Sequence, residues 1–105
     1  MSAYIVANVR VTDPRQYEEY KHLSTLAMQA HGAEVLVRGG RAEVLEGDWT
    51  PSRMVVMRFP TMMQAHAFYD SPEYARARAA RTGAAVMHMV LLEGADVPET
   101  PTKGE

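Results

Sequence analysis

Tyr4-Ile5-Val6-Ala7-Asn8-Val9-Arg10-Val11-Thr12-Asp13-Pro14-Arg15-Gln16 changes its periodicity partway along, and that change decides the fold. Up to Val11 the residues alternate, with Ile5, Ala7, Val9 and Val11 on one face and Tyr4, Val6, Asn8 and Arg10 on the other. This is the pattern of a half-buried strand rich in β-branched side chains. The second face is mixed rather than fully polar, which suits a face covered by a partner. Asp13 then stands where an N-cap is wanted, Pro14 fits the first helical position, and Gln16 occupies the capping-box position. The helix that starts there stops at Gly32, after His31. On its helical wheel Tyr17, Tyr20, Ser24, Ala27, Met28 and His31 share the inner face, while Glu18, Glu19, His22 and Gln29 point away.

Outward from this unit, Glu34 to Arg38 is a short strand. Gly39-Gly40 interrupts it, and Arg41 to Glu46 is extended again. The glycine pair is expected to be a bulge inside one long bent strand, because the flanking pieces are too short for an independent hairpin. After the turn at Glu46–Ser52, Arg53 to Phe59 forms a third strand with apolar residues on both faces. Trp49, in the turn, is read as an anchor for the loop, a contact with a second subunit or a lid over a cavity. Thr61 caps a helix whose inner face is Met62, Ala65, Phe68 and Tyr69; Ser71 and Pro72 restart it. In the restarted helix Tyr74, Ala77 and Arg81 line up, with Arg78 at their edge and Arg76 facing away. Gly83 ends it, and Ala85 to Glu93 is the last strand, where His88 is expected as a hydrogen-bonded core residue. From Ala95 the composition turns to Pro, Gly and charge, so residues 1–94 make one domain and 95–105 a tail that is mobile or draped on a neighbour.

The order strand–helix–strand–strand–helix–strand is the ferredoxin-like α+β arrangement, an antiparallel sheet with its helices on one face. Helices cover only that face, so the other is expected to meet a second copy, giving a homodimer through the open sheet face. A length of 105 residues suits a single domain. The net charge of −2 argues against a nucleic-acid partner. With no cysteine, disulfides and thiol chemistry are excluded. Apolar runs are too short to span a membrane, and the first residues lack the basic start and long apolar stretch of a signal peptide, so a cytoplasmic protein is expected.

Several strings in this chain occur together and in order: Val37-Arg38-Gly39-Gly40, Val44-Leu45-Glu46-Gly47-Asp48-Trp49-Thr50-Pro51, Phe59-Pro60, and Tyr69-Asp70-Ser71-Pro72-Glu73-Tyr74 followed by Arg81. They closely resemble the family called domain of unknown function 1330, as do Asp13-Pro14 with Tyr17 and Tyr20, and Ala30-His31-Gly32. The resemblance covers about residues 3–94 and implies a dimeric α/β barrel. The same superfamily includes small-molecule monooxygenases, isomerases, dehydratases and haem-binding enzymes, while the family itself has no established activity. One departure is the run 75–81, where alanines stand in place of the larger apolar groups that relatives tend to carry; it widens a cavity beneath that helix or lightens its packing.

Phosphate-loop and nucleophile-elbow motifs are lacking, and the four histidines have no metal-ligand spacing, so neither a cofactor nor a metal is expected. What remains is a cleft expected between the sheet and the helix face bearing Tyr17, Tyr20, Ser24 and His31, with Tyr69, Tyr74 and Arg81 from the other helices. In it Tyr20, Tyr69 and Tyr74 would stack on or hydrogen-bond a ligand, and Arg81 or Arg38 would hold an anion. His31 would be the acid or base, if it is not simply complementing the last carbonyls of its helix. The arginines have a structural reading too, as stacked or salt-bridged surface groups. The expected function is a homodimeric small-molecule-binding protein, in its catalytic form a cofactor-independent isomerase, lyase or monooxygenase acting on a small anionic or aromatic compound. The alternative is a non-catalytic dimeric ligand-binding or stress-related accessory protein.

Overall fold

The structure, a computed structural model, describes residues 1–95. The tail expected from Ala95 onward lies, from residue 96, outside the described residues. In chain order the elements are β1 (Ala3–Val11), α1 (Pro14–Ala30), β2 (Glu34–Arg38), β3 (Arg53–Phe59), α2 (Met62–Tyr69), α3 (Pro72–Ala80) and β4 (Ala85–Glu93). The strands form one antiparallel sheet in the order β2-β3-β1-β4. This is the ferredoxin-like α+β fold, and within one chain the sheet stays open rather than closing into a barrel.

Period-2 alternation in β1 sends Ala3, Ile5, Ala7 and Val9 into the core, each no more than 2% exposed. Met57 and Phe59 of β3 join them from the same side of the sheet. Above that floor lie Tyr17, Tyr20, Ala27 and Met28 of α1, Ala65 and Phe68 of α2, and Tyr74 and Ala77 of α3. The opposite face of the sheet carries Tyr4, Val6, Asn8 and Arg10 with Val56, Val90 and Leu92, and among the described residues it has no helix over it.

Caps fix where the helices begin. Asp13 accepts from the N–H of Gln16 at 3.2 Å, and Thr61 accepts from Gln64 at 3.1 Å. Gln16 does not return the bond to the cap; its amide instead donates to the Ala80 and Thr82 carbonyls, tying the start of α1 to the end of α3. These carbonyls lie at and just beyond the end of α3, where the helix supplies no further N–H, so Gln16 satisfies acceptors that would otherwise face solvent.

Two expectations for the strands are corrected. No single bent strand runs through Gly39-Gly40; β2 stops at Arg38, and the irregularity falls between Val35, opposite Met57, and Val37, opposite Val56. Gly39 has φ +71°, its N–H donates to the Met54 carbonyl at 2.7 Å, and a Cβ there would run into the Arg53 guanidinium. A left-handed residue held this way turns the chain off the sheet, so 41–46 does not continue the ladder. His88 is the second correction. It is exposed on the open face of β4, because the core side of that strand is taken by Met87, Met89 and Leu91.

Ser71 sits at the break between α2 and α3, where it is only 4% exposed. Its hydroxyl donates to the Phe68 carbonyl at 2.7 Å and accepts from the Tyr74 N–H at 3.1 Å. Replacing it with alanine leaves the Tyr74 N–H unpaired, while the Phe68 carbonyl keeps the Ser71 N–H at 3.2 Å, and Ser71→Ala is expected to lower stability by about 1–2 kcal/mol in urea unfolding. An unchanged midpoint would show that the cap does not fix the break.

Candidate functional site

The aromatic side chains that the sequence assigns to one cleft fill the core between them. Tyr20 and Tyr74 place their hydroxyls 2.7 Å apart, and Tyr74 packs on Phe68 at 4.6 Å and on Tyr69 at 5.6 Å between ring centroids. Tyr17 stacks on Tyr20 at 5.3 Å. Burial, followed by the neighbouring Tyr74, holds the Tyr20 phenol far above its ordinary value, and burial likewise raises that of Tyr74. Both therefore stay neutral, and each hydroxyl already has a partner. They can donate or accept a hydrogen bond, but neither is a phenolate base.

Arg81, the C-cap of α3, lies with its guanidinium 5.5 Å from the centre of the Tyr20 ring and donates to the Met87 sulfur at 2.7 Å. His31 is remote from it. The His31 Nε2 pairs with a carboxylate oxygen of Glu73 at 2.8 Å, in the first turn of α3, eight residues before Arg81. That spacing along a helix amounts to about 12 Å. The His31 side chain keeps 25% of its surface exposed and Glu73 keeps 42%. The hydrogen bond from His31 is the main reason the Glu73 carboxyl is held below its ordinary value. A histidine oriented by a carboxylate is competent for proton transfer. Arg38 faces the helices, because the register shift in β2 turns it opposite Val55, and there it donates to the Thr25 hydroxyl at 2.8 Å.

A cleft does open between helix and sheet, under α2 rather than α1. Its volume is about 180 Å³, and its walls are Ile5, Ala65, Met89 and Leu91 with His66 and Tyr69 at the polar end. The Arg78 guanidinium lies 4.6 Å from the centre of the Tyr69 ring, and its Nε is buried without a hydrogen-bond partner. Of the residues expected in the site, Tyr69 lines this cleft, and Tyr74 and Tyr20 stand behind it in a continuous aromatic stack. Arg81, Arg38 and His31 lie elsewhere. His66, Arg78 and Glu73 were not singled out from sequence. His66 and Tyr69 are an i, i+3 pair and Tyr74 and Arg78 an i, i+4 pair, spacings that carry that information. Among the described residues no three histidine or carboxylate side chains gather to hold a metal ion.

Two measurements test these contacts. Tyr20→Phe and Tyr74→Phe should each cost about 1–3 kcal/mol by stranding a buried hydroxyl, and the double variant should cost less than the sum. Strict additivity in urea unfolding would mean that the two hydroxyls do not depend on each other. Glu73 contributes stability above its ordinary value of 4.5, and this is lost as pH falls through the lowered folded-state value. The gap in Tm between the wild type and Glu73→Gln should therefore narrow on acidification through that range. A constant gap would contradict the pairing.

Comparison with solved structures gives the fold neighbours. A protein of unknown function from Rhodopseudomonas palustris is 19% identical over 90% of this chain and 83% of its own, with a TM-score of 0.69. SnoaB, a cofactor-independent oxygenase from Streptomyces nogalater, matches 99% of this chain and 98% of its own at 12% identity and TM-score 0.61. A dimeric protein of unknown function and ferredoxin-like fold from Bacteroides fragilis matches 89% and 95% at 15% identity and TM-score 0.53. At such identities the likeness is one of fold. No curated protein matches the chain. A family model matches residues 2–95, nearly the whole described chain, and on that match the protein belongs to the domain of unknown function family DUF1330.

Proposed function

We propose that the protein is a homodimer, joined through the open face of its sheet, that binds a small aromatic or anionic compound in the cleft under α2. The observation that carries this reading is the cleft itself. Apolar walls of Ile5, Ala65, Met89 and Leu91 end in two polar side chains, with the Arg78 guanidinium stacked behind one of them. Walls of that kind hold a planar apolar body, and a few convergent polar groups orient it. The Arg78 guanidinium, 4.6 Å from the Tyr69 ring, places positive charge behind the cleft and favours a ligand that carries negative charge. Homodimerisation is supported by Val37, Val86, Val90 and Leu92, each 40% to 50% exposed on one side of the sheet.

In the catalytic form of this reading the reaction needs no cofactor, and His31, oriented by Glu73, moves the proton. Cofactor-independent chemistry is compatible with the fold, as the Streptomyces nogalater oxygenase illustrates. His31 is not among the residues lining the cleft, which favours the non-catalytic form, a dimeric ligand-binding protein in which His31 and Glu73 brace α1 against α3.

A thermal-shift screen of small carboxylates, phenols and quinones tests both. A ligand present at ~100 times its dissociation constant adds about 2.7 kcal/mol, a rise in Tm of roughly 10 °C or more for a domain of this size. The shift should shrink in Tyr69→Ala and in Arg78→Met. A shift equal in wild type and both variants would remove the ligand from this cleft. For any compound that is turned over, His31→Ala should abolish turnover in a folded protein, and unchanged turnover would leave the binding form alone.

A further inference from the structure

The segment Gly40 to Ser52 joins β2 to β3 without forming any helix or strand, and Gly40 to Thr50 are all exposed. Connections this long are uncommon in compact domains unless they serve a purpose. Both ends are nevertheless fixed. Gly39 donates to the Met54 carbonyl at 2.7 Å, and the Ser52 N–H donates to the Asn8 side-chain oxygen at 2.8 Å, on the open face of the sheet. The segment is thus held in place as an arm, yet much of its apolar surface is left exposed. Leu45 is 97% exposed, Trp49 56% and Val44 40%.

Two observations indicate what covers these side chains. The first is continuity. Trp49 and Met54 line a groove of about 350 Å³ with Val44 and Leu45 of the arm, and the same two side chains line a second groove of about 300 Å³ with Val6, His88 and Val90 of the open face. The apolar edge of the arm therefore runs without a break into the sheet face. The second is charge. The arm carries Glu43, Glu46 and Asp48, and among the described residues only Glu43 has an ion-pair partner, Arg41 at 3.3 Å. The open face carries Arg10, and Arg58 with a loose contact to Glu34 at 3.7 Å. An acidic arm beside a basic, apolar face cannot satisfy itself, but two copies related by a twofold axis satisfy each other twice.

We infer that the arm is a reciprocal clamp. In it Val44, Leu45 and the outer edge of Trp49 of one copy seat on the open sheet face of a second copy, with the arm's carboxylates toward the arginines of that face. The inference rests on the homodimer proposed above and adds the element that holds it together.

Sedimentation velocity over a dilution series, on the full chain and on Leu45→Glu, tests it. Leu45 touches so little of its own chain that the variant should keep the wild-type circular dichroism, while its dimer should dissociate about 100-fold more readily. A companion experiment on unaltered protein follows hydrogen exchange of residues 40–52, which should slow at concentrations where the dimer forms. A dimeric wild type whose dissociation is unchanged by Leu45→Glu, or whose arm exchanges equally fast as monomer and dimer, would overturn the clamp and leave the dimer standing. A wild type that stays monomeric at every concentration would overturn both, and would leave the face to a partner other than this chain.

Discussion

The contact between the Tyr20 and Tyr74 hydroxyls is the constraint around which the helical layer is arranged. Tyr74 is 0% exposed and touches three of the other four helical aromatics at once: Tyr20 through its oxygen, Phe68 and Tyr69 through its ring. A phenol can be buried this deeply only if its oxygen has a partner, and the oxygen of another buried phenol is a partner that costs no further polar group. Tyr74 can reach that position because the chain stops one helix and starts another at Ser71. A continuous helix through Asp70-Ser71 would carry Tyr74 away along the axis of α2. The Ser71 hydroxyl, bonded to both sides of the break, lets Phe68 and Tyr74 face each other across it.

From that hub the two faces of the sheet take different fates. On the helix side small residues of β1, Ala3 and Ala7, leave room for rings. On the open side lie branched, polar and charged residues, and among the described residues only the arm with Trp49 reaches over them. The contrast is an outcome of period-2 alternation, which assigns every second residue of β1 and β4 to each face. The register shift in β2 breaks the rule, and it has a consequence for chemistry. It turns Val37 outward, opposite Val56, and Arg38 inward, opposite Val55, where the guanidinium meets Thr25.

Element type and order could be read from the sequence because caps, prolines and alternation act locally: Asp13-Pro14, Thr61 and Ser71-Pro72 each mark a helix start that the structure keeps. Bulge position could not be read the same way. It depends on which carbonyl across the sheet accepts the Gly39 N–H, and that is a long-range fact. His88 shows the same limit. Its strand is apolar throughout, so its own neighbours do not say which face the helices cover; the pairing of His88 with Asn8 does. The candidate site was legible as an inventory and not as a place. Tyr20, Tyr69 and Tyr74 do share one aromatic stack, whereas His31 and Arg81 sit at opposite ends of α3, a separation that helical phase alone hides because the angle repeats every turn.

Size explains why the polar chemistry ends up at the margins. A domain this short has a single core, and here that core is occupied by six aromatic rings, Tyr17, Tyr20, Phe59, Phe68, Tyr69 and Tyr74, linked in one run of contacts. Such a centre has no room for a ligand. The cleft therefore opens where α2 meets the outer strand β4, and the His31–Glu73 pair lies where the end of α1 meets the start of α3, where water lowers the cost of charge. Enclosure deeper than one chain provides has to come from outside it. The open sheet face and the exposed arm are the two surfaces that a second copy would use, and they adjoin each other through Trp49 and Met54. In the dimer proposed above, a second copy would cover the open face and the arm together, on the side of the sheet away from the cleft under α2.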